Sequence, residues 1–172
     1  MAVLGFSPDG QLLTLAGAVG SISSHLIKIW YPHTMSLVAT LNHSSWWATA
    51  INAVAFSRDG KMLALGSCDS IRLWDVATGA EVKRCLNFKN QIFSAHFTFD
   101  GRLAFGDGSG VVVWDTQAVG DCLARMDVRG LMRKSWVGVK KLLSWPDGTL
   151  VTAADTIKVW GPVTAVKHGE RA

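Results

Sequence analysis

Histidine, cysteine and acidic side chains are scattered along this sequence rather than grouped in patterns that support catalysis. The chain has no Cys-x-x-Cys, no His-Glu-x-x-His, no nucleophile elbow and no phosphate-binding loop. An active site needs a nucleophile with its base, a pair of carboxylates or a set of metal ligands. No ligand spacing relates the five histidines, which are His25, His33, His43, His96 and His168. The sequence therefore predicts a protein that is not an enzyme and that uses no cofactor or metal.

Glycine and aspartate recur at positions that indicate turns rather than catalytic sites. Residues 106–110 are rich in glycine, but they lie between two apolar runs, so no helix amino terminus is available to hold a phosphate. Asp69, Asp107 and Asp155 occupy one equivalent place in a repeated pattern. Short acidic side chains at such places commonly accept hydrogen bonds from nearby backbone N–H groups. We interpret these aspartates as turn-stabilising residues.

Two adjacent tryptophans, Trp46 and Trp47, are the strongest candidates for contact with a partner protein. They lie in a connecting segment, where two neighbouring indoles cannot both tuck beneath the same strand. Tryptophan anchors commonly dominate the energy of protein interfaces. The alternative has equal weight, namely that one or both indoles fill a gap between neighbouring sheets.

A second candidate surface is the basic segment 125–141. It combines positive charges with one aromatic side chain, a composition that predicts binding to nucleic acid or to another acidic surface. A solvated basic loop is the simpler explanation, and a net charge of +4 is mild, so we rank nucleic acid last among the partners. The candidate residues are Arg129, Arg133, Lys134, Trp136, Lys140 and Lys141.

The elements that position these residues follow from the stretch VAFSRDGKMLALGSCDSIRLWD at residues 54–75. It contains three apolar runs of four to six residues, separated by turn signals. Each run is apolar on both faces, which is typical of a strand between two other sheets. The turn at Asp59–Gly60 supplies the positive φ that a tight hairpin requires.

The same pattern occurs four times. Its Asp-Gly turns are separated by 50, 41 and 47 residues, and the tryptophans that end its third run by 44, 40 and 46. A period in the forties with several strands per unit is expected of propeller blades. The repeated residues are Asp9, Gly10, Asp59, Gly60, Asp100, Gly101, Asp147 and Gly148 in the turns, and Trp30, Trp74, Trp114 and Trp160 in the third runs.

On these residues the chain resembles the WD-repeat β-propeller family. The resemblance is carried by FSPDG, FSRDG, FTFDG and SWPDG, paired with IKIW, IRLWD, VVVWD and IKVW, and it covers nearly the whole chain. It implies an all-β fold, a propeller-like array of about four four-stranded antiparallel blades in an incomplete or open ring. The approximate blades are 1–42, 43–86, 87–128 and 129–172 of a single domain. The implied function is a non-catalytic scaffold for a protein or peptide partner.

The family's polar network is incomplete in this sequence. In the family, a histidine, a Ser or Thr of the second strand, a turn aspartate and the third-strand tryptophan form a chain of hydrogen bonds. Here Leu65 and Phe105 occupy the hydroxyl position, whereas Thr152 retains it. Because partial satisfaction of a buried polar network is costly, we expect these blades to depend on apolar burial.

Composition and blade number set the remaining expectations. The 172 residues are 49% hydrophobic, no apolar run is long enough to span a membrane, and three widely spaced cysteines indicate reduced thiols. We therefore predict a cytoplasmic protein, with the nucleus as the alternative. Three architectures remain open: a structural part of a larger propeller or sensor protein, half of a homodimeric ring of eight blades, and a small four-bladed closure.

Overall fold

Fifteen β-strands form four antiparallel sheets in the described residues of the computed structural model. The structure describes residues 2–18, 25–43, 50–68, 70–86, 91–108, 110–116, 124–126, 138–154 and 156–161. Each sheet is formed by consecutive strands in chain order. The all-β prediction is therefore confirmed.

The strands of sheet 1 are β1 (Ala2–Phe6), β2 (Leu13–Ala18), β3 (His25–Tyr31) and β4 (Ser36–His43). Sheet 2 contains β5 (Ala53–Phe56), β6 (Met62–Gly66), β7 (Ser70–Asp75) and β8 (Glu81–Leu86). Sheet 3 contains β9 (Ile92–Phe97), β10 (Leu103–Asp107), β11 (Gly110–Trp114) and β12 (Ala124–Met126). The described strands of sheet 4 are β13 (Lys141–Ser144), β14 (Leu150–Ala153) and β15 (Ile157–Trp160).

Asp-Gly turns connect the first and second strands of every sheet. Their glycines have φ between 70° and 84°, a range that L-residues with a Cβ rarely adopt. In the second sheet, Asp59 Oδ1 accepts hydrogen bonds from Ser57 Oγ at 2.6 Å and from the Lys61 backbone N–H at 3.1 Å. Asp9 accepts the equivalent pair from Ser7 and Gln11. The turn is thus a local unit that the sequence repeats.

The sheets pack face to face in chain order, and each has a front face and a back face. The front face of sheet 2 includes Phe56, Leu65 and Trp74, which pack on sheet 1, and its back face includes Ile71 and Leu73, which pack on sheet 3. Equivalent positions define the front and back faces of the other sheets. The back face of sheet 3 packs on the front face of sheet 4 in the same way. Apolar strands with no polar face therefore lie between two neighbouring sheets, as their sequences indicate.

Gly66 allows the closest approach between sheets 2 and 3. A Cβ at this glycine would lie 2.7 Å from Ile92 Cγ2 and 3.2 Å from Ala53 Cβ. Gly106 has the same relation to Val139 of the next sheet, at 2.5 Å from its Cβ. The small residue at or next to the end of the second strand therefore accommodates an aliphatic side chain from the following sheet.

Residues 71–75 and 111–114 belong to different ladders, β7 in sheet 2 and β11 in sheet 3. This separation is what successive blades require. Large apolar side chains of sheets 1 and 4 remain exposed at the two ends of the array, so the described residues form an open array rather than a closed ring.

Candidate functional site

The first strand of each sheet lines an axial groove. Strands β1, β5, β9 and β13 are neighbours in that order, because each contacts the next across the junction between two sheets. Two cavities open along these strands, one at their carboxyl ends and one at their amino ends. The groove is therefore the place where all four repeats contribute side chains to one surface.

The larger cavity has a volume of about 540 Å³ and lies beside the Asp-Gly turns. This volume is within the range of pockets that bind small ligands or peptide side chains. Its apolar lining comes from three repeats and consists of Pro8, Phe56, Phe97 and Phe99. Phe56 and Phe97 are buried at the junction, whereas Phe99 is more than a third exposed at the rim. The lining offers aromatic surface to an entering apolar group.

Arg58 provides a cation at the rim of this cavity. Its guanidinium carbon lies 4.3 Å from the centroid of the Phe99 ring, so the residue reaches from the turn of sheet 2 to the turn of sheet 3. Stacking on an aromatic ring leaves the planar N–H donors free for a carboxylate. Within the described residues no ion pair joins Arg58 to a carboxylate. The guanidinium is exposed and oriented without being neutralised.

Asp9 is the acidic group that lines the same cavity. Hydrogen bonds from Ser7 Oγ and from the Gln11 backbone N–H lower the pKa of its carboxyl below the ordinary value. The side chain is therefore ionised at neutral pH. Because its Oδ1 already accepts two hydrogen bonds, it is held in the turn rather than across the groove.

His96 connects sheets 3 and 4 at the base of the cavity. Its Nε2 accepts a hydrogen bond from the Ser144 backbone N–H at 3.2 Å and lies 3.1 Å from Ser144 Oγ. A backbone N–H can only donate, so Nε2 carries no proton and the ring is neutral, with its proton on Nδ1. Burial lowers the pKa of His96 below its usual value. The histidine is a fixed, uncharged part of the lining.

A smaller cavity of about 200 Å³ lies at the amino ends of the same strands. Lys140 and Lys141 line it, together with apolar residues of the four first strands, and both lysines are exposed. The Lys140 backbone N–H donates to Ala153 O at 2.9 Å, which fixes the start of β13. The two cavities together therefore carry three permanent cations, Arg58, Lys140 and Lys141, against the single carboxylate of Asp9.

The repeated tryptophans occupy equivalent places at the ends of the third strands. Trp160 Nε1 donates to Thr152 Oγ1 at 3.1 Å, whereas Trp74 Nε1 and Trp114 Nε1 are buried and have no hydrogen-bond acceptor among the described residues. In the latter two sheets the position of Thr152 is taken by Leu65 and Phe105, which supply no acceptor. Trp30 is half-buried, and Lys28 Nζ lies 5.7 Å from the centroid of its ring. The hydroxyl and tryptophan pair of the family is therefore present in one of these four sheets.

Comparison with family models gives a match to the WD domain, G-beta repeat, over residues 35–75. The match supports membership of the WD-repeat family. It begins at the outer strand of sheet 1 and ends with the third strand of sheet 2, so the WD repeat and the sheet are offset by one strand. A search of curated proteins finds no match. WD-repeat domains generally bind proteins and are usually non-catalytic.

Most of the predicted partner contacts lie outside the described residues. These are Trp46, Trp47, Arg129, Arg133, Lys134 and Trp136, and the turn residues Asp69 and Asp155 lie outside as well. Asp107 is described and buried, and its Oδ1 accepts a hydrogen bond from the Gly110 backbone N–H at 2.8 Å.

The basic segment 125–141 is not one loop. Arg125 lies in β12 and Lys141 begins β13, because the hydrogen-bonded ladders of sheets 3 and 4 extend into both ends of the segment. Of the residues proposed for it, Lys140 and Lys141 are described, and they lie at the groove. Both lysines are exposed, and their binding to an acidic partner stays a prediction.

Arg58, Phe99 and His96 were missed as site residues by the motifs of the sequence. Alignment of the four repeats provides the signal for two of them: the residue before each Asp-Gly is Pro8, Arg58, Phe99 or Pro146. When repeats are arranged around an axis, residues at one repeated position face that same axis. The charged Arg58 and the aromatic Phe99 share such a position. His96 has no such signal, because its neighbour Ser144 belongs to another repeat.

Two other kinds of site are absent from the described segments. No group of three or more His, Cys, Asp or Glu side chains could hold a metal ion there. In the same segments no helix is long and apolar enough to cross a membrane.

Cys68 is a free, half-buried thiol that follows β6.

Proposed function

We propose that the chain is a non-catalytic, cytoplasmic protein-binding module whose axial groove takes an acidic peptide segment. The observation that carries this proposal is the charge of the groove: Arg58 lies at one end, Lys140 and Lys141 at the other, and one carboxylate opposes them. An extended peptide along the first strands would meet cations at both ends. Glutamate or aspartate side chains at those ends would form charge-assisted hydrogen bonds.

The aromatic lining sets the second requirement on the peptide. Phe56, Phe97 and Phe99 surround the larger cavity, so an apolar side chain next to an acidic one satisfies the ring surface and the Arg58 guanidinium together. The neutral His96 adds no charge at the base. We therefore expect a preference for acidic residues that alternate with apolar residues over a uniformly acidic chain.

The test is direct titration with a fluorescein-labelled peptide of alternating glutamate and leucine, followed by fluorescence anisotropy. Arg58→Ala should weaken binding about tenfold or more, because a hydrogen-bonded ion pair contributes about 1.5–3 kcal/mol. Lys140→Ala with Lys141→Ala should weaken it further and reduce its dependence on salt. The matched control is Lys61→Ala, which removes an exposed cation of the same turn that does not line the groove. Equal affinity in Arg58→Ala and wild type would refute the groove as the site.

Trp46 and Trp47 remain proposed contacts with a partner protein. Their joint replacement by alanine should abolish capture of a partner without lowering the melting temperature. Loss of both capture and thermal stability would favour the alternative in which they fill a gap between sheets.

Nucleic acid is the competing ligand class for a cationic groove. Binding through phosphates weakens steeply as salt rises from about 50 mM to about 200 mM, and it does not require an apolar group beside the charge. A single-stranded oligonucleotide that displaces the labelled peptide with higher affinity than unlabelled peptide would favour this class over the peptide proposal.

A further inference from the structure

The back face of sheet 4 carries the same residue types as the back faces that are buried elsewhere. In the first three sheets, the residues one and three positions before the repeated tryptophan are at most 2% exposed, whereas Ile157 and Val159 of sheet 4 are 77% and 71% exposed. The buried equivalents are Ile27, Ile29, Ile71, Leu73, Val111 and Val113. Sheet 4 thus has a face of the interior type that meets solvent in the single chain.

The front face of sheet 1 shows the complementary mismatch. Phe6 is 57% exposed, although the equivalent Phe56 of sheet 2 is 6% exposed. Leu15 is 42% exposed, against 1% for the equivalent Leu65. The face also includes Leu4, which pairs with Leu15 across the β1–β2 ladder. Exposed contiguous apolar faces of this kind mark surfaces that another protein surface covers.

Each junction within the chain joins a back face to a front face. At each of two junctions, an aliphatic side chain packs on the small residue of the preceding sheet: Ile92 packs at Gly66 and Val139 packs at Gly106. Both aliphatic residues lie five positions before the last residue of the first strand of their sheet. In sheet 4 that small residue is Ala153, which is only half-buried. The bare back face therefore lacks the front face that would complete a fourth junction of the same kind.

We propose that a second copy of this chain supplies the missing front face. The back face of sheet 4 in one copy then packs on the front face of sheet 1 in the other copy. A two-fold axis then creates the reciprocal junction between the remaining two faces. The described residues of one chain leave one bare face of each type, so two chains cover both faces. A back-to-front contact joins two different surfaces, so it closes at two copies when each chain spans half a turn about the axis and extends into a filament otherwise.

The mass of the purified chain in solution, measured by light scattering during size exclusion, tests the proposal. The expected mass is twice 18.6 kDa. A mass of one chain, or a distribution of masses above two chains, would overturn it, because the first leaves the faces bare and the second shows contacts that do not close.

Single substitutions on the two faces test the orientation. Val159→Lys on the back face and Phe6→Glu on the front face should each give the mass of one chain. Because both positions are exposed in the single chain, each variant is expected to fold, which far-ultraviolet circular dichroism will check. The control is Val82→Lys at a half-exposed apolar residue of β8, which lies on neither face and should leave the two-copy mass unchanged.

Mixing the two variants makes the strictest test. A mixed pair has one junction with unaltered faces and one in which the introduced lysine of the first variant would oppose the introduced glutamate of the second. The mixture should therefore recover the two-copy mass. A front-to-front or back-to-back pair cannot produce this recovery from one variant of each kind, and absence of recovery would overturn the arrangement. Arg58, Lys140 and Lys141 are unchanged in these variants, so peptide binding and pairing can fail independently.

Discussion

Sheets 3 and 4 hold the same tryptophan in two different ways. Trp114 of sheet 3 is 1% exposed and its indole N–H finds no acceptor in the described part of the chain, whereas Trp160 of sheet 4 is half-buried and its indole N–H donates to Thr152 Oγ1. Sheet 3 has a neighbouring sheet on both faces. Sheet 4 has a neighbour on one face within the residues that the structure describes.

The difference indicates that burial between two sheets offsets the cost of an unsatisfied indole. Leaving a buried donor without a partner costs about 1–3 kcal/mol. Complete burial of an aromatic side chain contributes a comparable or larger amount, about 1.5–3 kcal/mol, together with its packing contacts. The polar pair therefore matters most where packing is incomplete, which is the situation of sheet 4.

The largest effect is expected from replacement of the two tryptophans. Trp114→Ala should lower the free energy of unfolding by about 3–5 kcal/mol, because it removes a large side chain from a packed junction. Trp160→Ala should cost clearly less, because its side chain already contacts solvent. Urea denaturation followed by circular dichroism measures both. Similar losses in the two variants would contradict the assignment of sheet 3 as the more tightly packed region.

Thr152→Val removes the acceptor of the Trp160 indole while keeping nearly the same shape. We expect a loss of about 1 kcal/mol, the usual net contribution of one hydrogen bond. Thr152→Ser is the matched control, because it keeps the hydroxyl and removes only a methyl group. Unchanged stability in Thr152→Val would show that the hydrogen bond contributes nothing and that sheet 4 depends on packing alone.

The sequence predicted the sheets well because each repeat carries its own local signals. Asp-Gly turns and apolar runs specified β6 at Met62–Gly66, and most of β5 and β7, without information from other parts of the chain. The lack of an acceptor for Trp74 and Trp114 within the described residues was also predictable, because Leu65 and Phe105 cannot accept a hydrogen bond. These features depend on residues within one repeat.

The groove was not predictable to the same extent because it depends on contacts between repeats. The Arg58–Phe99 stack joins residues of two sheets, and the His96–Ser144 hydrogen bond joins residues 48 positions apart. The residue types of Trp46, Trp47 and the basic segment suggest binding to a partner, but they do not specify where these residues lie relative to the groove. The relative position of two neighbouring sheets depends on packing at residues such as Gly66, and such packing is difficult to predict from a single sequence.

The smallest expected effect concerns the polar contact that joins the two regions, His96 to Ser144. Burial lowers the pKa of His96 from its ordinary value of 6.5, so the folded protein binds fewer protons near that pH than the unfolded chain does. Its contribution to stability is therefore fully present above pH 6.5 and is lost as the pH falls through the folded-state pKa. Protonation would also place a hydrogen on Nε2 opposite the Ser144 N–H.

We expect the free energy of unfolding to decrease from about pH 7.5 to about pH 5.5 in the wild type, and to decrease less in His96→Gln. The aspartates with lowered pKa values do not interfere, because they titrate below their ordinary value of 3.8. His33→Gln, at an exposed histidine, is the control and should keep the wild-type slope. An identical slope in wild type and His96→Gln would show that the junction between sheets 3 and 4 tolerates a charged imidazole.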